Sequence, residues 1–272
     1  MHFIEEMFGL KDKVIVITGG GGVIARALSE SLLNANAKIV LWCRKQEHID
    51  DARDDLGKKT NLKDYVYGFV VDTMNEESVK KAVYETEKLA GIPNVLINAV
   101  GGNRGKSSFV DTDMEVFEFV LKLNLVAGLM VPTKVMASYW IDKGIKGSII
   151  NMTSMSSYIP LSGVWAYDAA KSAVLNLTMA AAKEFAPNGI RVNAIAPGFF
   201  IGKQNKDLLI KNEKTGELTD RGKAVINHTP FGRFGDASEL AGATIFLISD
   251  KASGFVTGVS LPVDGGYLVD NI

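Results

Sequence analysis

Val14-Ile-Val-Ile-Thr18-Gly-Gly-Gly-Gly22-Val-Ile-Ala25 decides the fold of this 272-residue chain. The first five residues are apolar or β-branched and read as a buried strand. Four glycines follow at once, and then a helical pattern. Glycine lets the backbone turn tightly and approach a ligand closely. The helix start beyond it offers unpaired N–H groups and the positive end of the helix dipole. Strand, glycine loop and helix at a first βα junction suit the pyrophosphate of a dinucleotide. A plain turn is the other reading of the glycines. No Gly-Lys-Ser/Thr follows, so this is not a nucleoside-triphosphate loop. Gly19, Gly21, Gly22, Val23 and Ile24 are the candidate phosphate contacts.

Working outward, β-rich runs alternate with helical patterns along the chain. Val14–Thr18, Lys38–Trp42, Tyr65–Val71, Val95–Ala99, Ser148–Met152, Arg191–Ala196 and Val259–Val263 read as strands. Near-continuous apolar strands separated by helices imply an α/β fold, a doubly wound parallel sheet of Rossmann type with helices on both faces. No linker or repeat divides the chain, so residues 1–272 read as a single domain. Thr112-x-x-Glu115 and Asp236-x-x-Glu239 fit capping boxes at helix starts. One polar excursion, from Phe199 to about Gly235, breaks the alternation after the sixth strand. It reads as a substrate lid of about residues 199–235, because it follows a strand end that borders the ligand crevice.

Composition narrows the function. The formal net charge of −1 argues against a nucleic-acid or membrane-surface partner. No apolar run is long enough to span a bilayer, and the start of the chain lacks a signal-peptide pattern. The one cysteine, Cys43, excludes an internal disulfide, and His2, His48 and His228 are too scattered for a metal cluster. The expected location is the cytoplasm, with no metal.

The chemistry centres on Ser154, Tyr167 and Lys171. Tyr167 and Lys171 are four apart in a helical pattern, so they share one face. A nearby ammonium favours the phenolate of a tyrosine whose ordinary pKa is ~10. Ser154 stands at the end of the strand Ser148–Met152, where its hydroxyl reaches the same point. Tyr84/Lys88 and Tyr139/Lys143 repeat the Tyr-x-x-x-Lys spacing, but valines, Val71 and Val126, occupy the place that Ser154 holds before Tyr167. Those two pairs read as solvated helix faces.

The end of the second strand, Trp42-Cys43-Arg44-Lys45, carries no acid for a ribose 2′-hydroxyl. Arg44 either faces a 2′-phosphate, which favours NADP(H) over NAD(H), or belongs to a solvated basic turn.

Together these residues resemble the short-chain dehydrogenase/reductase family over essentially the whole chain. The resemblance implies a catalytic set of Ser154, Tyr167, Lys171 and Asn124, the last in Leu123-Asn-Leu125. Tyr167 would pass a proton to or from the substrate oxygen, and Lys171 would hold the nicotinamide ribose. Ser154 would bond the reacting oxygen, and Asn124 a water leading to Lys171. Asp72 and Thr73 resemble the adenine contacts. Asn98, Ala99 and Gly101, in Asn98-Ala-Val-Gly101, and the Pro197-Gly198 motif resemble further cofactor contacts. The chain departs from the pattern at Val23 and Ala25, where glycines are usual, and at Ile201-Gly202, where a threonine often stands.

Within the family, Gly101-Gly-Asn103, Ala196-Pro-Gly-Phe-Phe200, Gln204-Asn205, Leu218-Thr-Asp-Arg-Gly222 and His228-Thr-Pro-Phe-Gly-Arg-Phe-Gly235 resemble the D-mannonate oxidoreductase (fructuronate reductase) branch. Gluconate 5-dehydrogenases, which reduce 5-ketogluconate, are the near alternative. A sugar-acid substrate needs hydroxyl donors and a cation for its carboxylate. Asn103, Arg104, Ser156, Lys203 and Gln204 are candidates. The helices at Thr112–Lys143 and Val164–Pro187 resemble those that pair in family homotetramers, so a homotetramer or homodimer is implied. A non-catalytic dinucleotide-binding sensor is the reading from another class.

Overall fold

The computed structural model describes residues 3–202 and 206–270. Seven strands build its main sheet: β1 Val14–Thr18, β2 Lys38–Cys43, β3 Val66–Val70, β4 Val95–Asn98, β5 Ser148–Met152, β6 Arg191–Pro197 and β9 Ser260–Val263. A small antiparallel hairpin, β7 Ile210–Asn212 and β8 Glu217–Leu218, lies in the excursion after β6. The main sheet is parallel throughout, in the order β3-β2-β1-β4-β5-β6-β9. The chain moves outward from β1 to β3, then crosses back and moves outward again from β4. The reversal leaves a crevice between the C-terminal ends of β1 and β4, where doubly wound sheets bind ligands.

Alternation along the central strands β1, β2, β4, β5 and β6 buries both sheet faces. Ile15, Ile17, Ile39, Leu41, Ile97, Ile150 and Ile195 face one apolar cluster. Val16, Val40, Leu96, Ile149 and Val192 face the other. The helix Val23–Asn34 buries Ala25, Leu28, Leu32 and Leu33 on one stripe, which docks it beside β1.

The strand ends differ slightly from the sequence reading. A 3-10 turn, Lys63–Tyr65, takes Tyr65 out of β3, and Asn98, not Ala99, ends β4. Asp236 forms the expected capping box with Glu239. The other cap moves by one residue. Asp113, not Thr112, accepts from the backbone of Glu115 and Val116. A carboxylate beside the helix start outcompetes a hydroxyl one residue further out.

The helix expected over 112–143 is three segments: α from Met114 to Leu121, π from Lys122 to Met130, and α again from Val131 to Lys143. Tyr84 is exposed as read, but Tyr139 is buried in the apolar core. Its side chain falls on the inner face of the last segment. Among the described residues no helix is long and apolar enough to cross a membrane.

Candidate active site

The crevice is built by β1 and β4. The Thr18 hydroxyl accepts from the backbone N–H of Ala99 at 3.0 Å and of Val100 at 3.3 Å, tying the two strand ends together. Gly19 then turns with φ +65°, a conformation that favours glycine. A β-carbon at Gly20 would lie 2.8 Å from the Leu41 side chain, so the loop runs flush against β2. Gly22 is the cap residue of the next helix and supplies no side chain to its first N–H groups. Val23 and Gly22 are exposed there. Ala25, where the family pattern has glycine, is buried and packs in the core without disturbing the helix.

Arg44, just beyond β2, is exposed. Its neighbour Lys45 pairs with Glu47 at 3.0 Å. Cys43 is buried, and burial raises its thiol above the ordinary range. Past β3, Asp72 is exposed and accepts from the Met74 N–H, and Thr73 is buried.

Asn98 turns its side chain away from the crevice. Its amide nitrogen donates to Thr133 Oγ1 and to Asn151 Oδ1, both at 2.9 Å. Asn151 in turn donates to Thr178. This network is buried between the sheet and two helices. The Asn98 side chain is therefore turned into the core, and its backbone is what it offers to the crevice.

Asn124 closes the crevice from above. Its amide nitrogen donates to the carbonyls of Gly102 and Val120, each at 2.8 Å, and its oxygen accepts from Gly102 N–H at 3.1 Å. Both amide protons are thus bound to backbone. Any water held by this side chain would rely on the remaining lone pair of the oxygen. A β-carbon at Gly101 would lie 2.7 Å from Asn124 Oδ1 and 3.4 Å from Lys171 Nζ. One at Gly128 would lie 2.5 Å from the Val100 carbonyl. Two glycines thus let the π segment reach the loop after β4.

Ser154, Tyr167 and Lys171 come together at the end of β5. Ser154 is buried, and its hydroxyl accepts from Ser156 N–H at 3.2 Å as cap of a 3-10 turn. Tyr167 is half-buried on the helix Trp165–Phe185. Lys171 lies one turn later on the same helix, 5% exposed, with Nζ 5.6 Å from the Tyr167 ring centroid. The ammonium donates to the Met152 carbonyl at 2.7 Å. Burial pulls Lys171 down to about 8. Burial also pushes the Tyr167 phenol up, a hydrogen-bonding contact with Ser154 works against that, and Asp168 adds to it. The expected depression of Tyr167 by Lys171 is overturned in this state. Desolvation outweighs a cation whose proton is committed to a carbonyl.

The substrate candidates divide. Asn103 is exposed and donates to its own loop at Gly105 O, 2.7 Å. Arg104 is exposed, with its guanidinium 5.6 Å from the centre of the Phe119 ring. Ser156 is 3% exposed, and its hydroxyl has no partner among the described residues. Lys203 and Gln204 lie outside the described residues. Pro197 and Gly198 end β6. Gly198 donates to Val263 O at 2.9 Å, and a β-carbon there would lie 2.7 Å from Asp264 Cα.

Some site residues were not legible in the sequence. Trp165 donates its indole N–H to Ser107 O at 3.2 Å and stacks edge-on with Phe109 at 5.3 Å. Ser107 N–H in turn donates to Gly163 O. These contacts zip the loop after β4 to the loop after β5, two walls of one cleft. A tryptophan two residues before Tyr167 was the available signal.

An α/β fold with a glycine loop at its switch point and a Ser/Tyr/Lys cluster one strand away is the framework of a dinucleotide-dependent oxidoreductase. A family model described as enoyl-(acyl carrier protein) reductase matches residues 21–268. An uncharacterized oxidoreductase of Haemophilus influenzae is 38% identical over 97% of this chain and 96% of its own length. A Haemophilus influenzae crystal structure with bound NAD, provisionally labelled a D-mannonate oxidoreductase, superposes with a TM-score of 0.87 at 36% identity, covering 98% of this chain and 99% of that one. A gluconate 5-dehydrogenase of Burkholderia cenocepacia, in complex with NADP and tartrate, gives a TM-score of 0.86 at 29% identity, covering 98% and 99%. The chain belongs to the short-chain dehydrogenase/reductase family of oxidoreductases.

Proposed function

We infer that this protein interconverts an alcohol and a ketone on a sugar acid, with D-mannonate and D-fructuronate the leading pair. The observation that carries the reading is the convergence of Ser154, Tyr167 and buried Lys171 beside Gly101. The complete cluster disfavours a non-catalytic sensor. The NAD- and NADP-bound neighbours, and the sugar acids in their names, support the substrate class.

The residues fit a nicotinamide dinucleotide. The cap at Gly22 leaves the first helical N–H groups without a side-chain partner, and no acid stands at the end of β2 to repel a 2′-phosphate. Gly19, Gly21, Gly22, Val23 and Ile24 would hold the pyrophosphate. Asp72 and Thr73 would border the adenine. The backbone of Asn98, Ala99 and Gly101, with Pro197-Gly198, would line the nicotinamide side. Arg44 favours NADP(H) over NAD(H). When bound, the cofactor supplies the hydride donor or acceptor.

The protein's own part is orientation and proton handling. Tyr167, kept protonated by burial, donates its proton to a ketone oxygen in the reductive direction and recovers it in the oxidative one. Ser154 bonds the same oxygen. Lys171, near its own midpoint at about 8, supplies positive charge beside the phenol. Asn124 braces Gly102, the loop that carries Asn103 and Arg104. The segment 199–235 works as a lid. An apolar groove of about 630 Å³ between the helices Val131–Lys143 and Trp165–Phe185 supports assembly as a homotetramer or homodimer. The expected setting is the cytoplasm.

The test is a panel of hexuronates, ketogluconates and neutral ketones, each with NADH and NADPH. Fructuronate turned over fastest supports the leading pair. Faster reduction of 5-ketogluconate transfers the assignment to the gluconate dehydrogenases. A neutral ketone ahead of every acid ends the sugar-acid reading.

A further inference from the structure

Ser157 has no place in the site as read so far, yet its hydroxyl is bonded to the backbone of both Ser154 and Lys171. Ser157 Oγ donates to the Lys171 carbonyl at 2.7 Å and accepts from Ser154 N–H at 3.3 Å. Two further bonds cross the same seam. Lys171 Nζ donates to Met152 O at 2.7 Å, and Ser172 Oγ donates to Ser156 O at 3.5 Å. The turn that carries the serine is thus stitched to the helix turn that follows the tyrosine.

The stitch matters because Ser154 has competing demands. Its hydroxyl already accepts from Ser156 N–H as a cap, and it also contacts the Tyr167 phenol. A 3-10 turn of three residues has little stability of its own. Without an outside anchor, the turn can rotate Ser154 Oγ away from the phenol while keeping its cap. Ser157 blocks that rotation from the far side, since its one hydroxyl fixes the Ser154 backbone to the helix.

We propose that Ser157 is a positioning residue: its hydroxyl holds the Ser154 and Tyr167 hydroxyls in register on the substrate oxygen. This rests on the reading above, in which that pair meets the reacting oxygen. Ser157 itself touches no substrate. Small misplacements of a reacting pair cost rate steeply, and one lost neutral hydrogen bond corresponds to about tenfold.

A double-mutant cycle tests it, with steady-state kinetics and thermal unfolding of the full-length wild type, Ser157→Ala, Ser154→Ala and the double variant. The expected result for Ser157→Ala is a kcat lower by roughly tenfold with the cofactor KM unchanged. In the Ser154→Ala background, adding Ser157→Ala is expected to change kcat by less than about twofold, because the residue has nothing left to position. Ser157→Cys keeps the volume and weakens the donor, so it serves should the alanine variant not fold. It is expected to lose kcat in the same direction. Wild-type kcat in both Ser157 variants, or the same fold-loss in both backgrounds, overturns the proposal. A Ser154→Ala enzyme with wild-type kcat would instead overturn the reading of the site on which it rests.

Discussion

Lys171 Nζ donates a hydrogen bond to the Met152 carbonyl at 2.7 Å and stands 5.6 Å from the centre of the Tyr167 ring. The cation that the spacing pairs with a phenolate is anchored to the end of β5. The two groups are shifted by the same cause in opposite directions. Burial drives the phenol up and the ammonium down, because each loses solvation of its charged form. The site in this state holds a proton on Tyr167, which suits donation to a ketone.

Tyr167→Phe is expected to lower kcat by at least ~10²-fold, with folding and cofactor binding retained, since only the ionisable oxygen is removed. Tyr84→Phe, on an exposed ring, serves as the control and should match the wild type. Steady-state kinetics with circular dichroism decide it. A Phe variant with near-normal kcat would remove Tyr167 from the chemistry.

The direction of the Tyr167 shift sets a pH signature. Reduction uses the neutral phenol, which persists below its raised pKa, so ketone reduction should vary little between about pH 6 and 8. Oxidation uses the phenolate, so alcohol oxidation should climb as pH rises over that range. Rate profiles in both directions are the check. Oxidation that peaks on the acid side would contradict the assignment.

Lys171→Met should abolish turnover and yet stabilise the fold near neutral pH. The folded-state pKa of about 8 lies below the ordinary 10.5, so the folded protein resists carrying this charge. The penalty is fully present below about 8 and is relieved as pH rises toward 10.5. The gap corresponds to about 3 kcal/mol, offset by about 1 for the lost bond to Met152. Urea unfolding of wild type and variant at neutral and alkaline pH tests this. The advantage of the variant should shrink at high pH, and a variant less stable at both pH values would refute the account.

Arg44→Ala should reduce kcat/KM for NADPH by roughly 10- to 150-fold and leave NADH nearly unchanged, the range of one charge-assisted contact. Comparing the two cofactors on each protein gives the answer. An unchanged ratio would mean that Arg44 lies in a solvated turn.

The sheet was legible because the central strands are near-continuous apolar runs, and burial on both faces erases the alternation that half-exposed strands show. The glycine loop was legible because Gly19 needs a positive φ and Gly20 a flush approach to β2. Cap choice was less so, since Thr112 and Asp113 both suit a helix start and only the folded path selects between them. The inward turn of the Asn98 side chain was not legible, because the same side chain suits a crevice or a core and its partners Thr133 and Asn151 come from distant segments. The direction of the Tyr167 shift depends on burial, which spacing along a helix does not report.

The π segment Lys122–Met130 has a further consequence. Each residue of an α-helix advances the side-chain direction by ~100° and each residue of a π-helix by less, so the nine-residue π segment resets the phase between the flanking helices. Met114–Leu121 and Val131–Lys143 are joined through nine residues of this wider turn, so the length of the tract sets how their inward faces align. The tract is therefore sensitive to length more than to composition. Point substitutions at its exposed positions should be absorbed, whereas a one-residue deletion would rotate Asn124 and Tyr139 out of phase with each other. Insertions and deletions, common in surface loops, should be purged here, so the spacing between Asn124 and Tyr139 is a fixed interval of the fold.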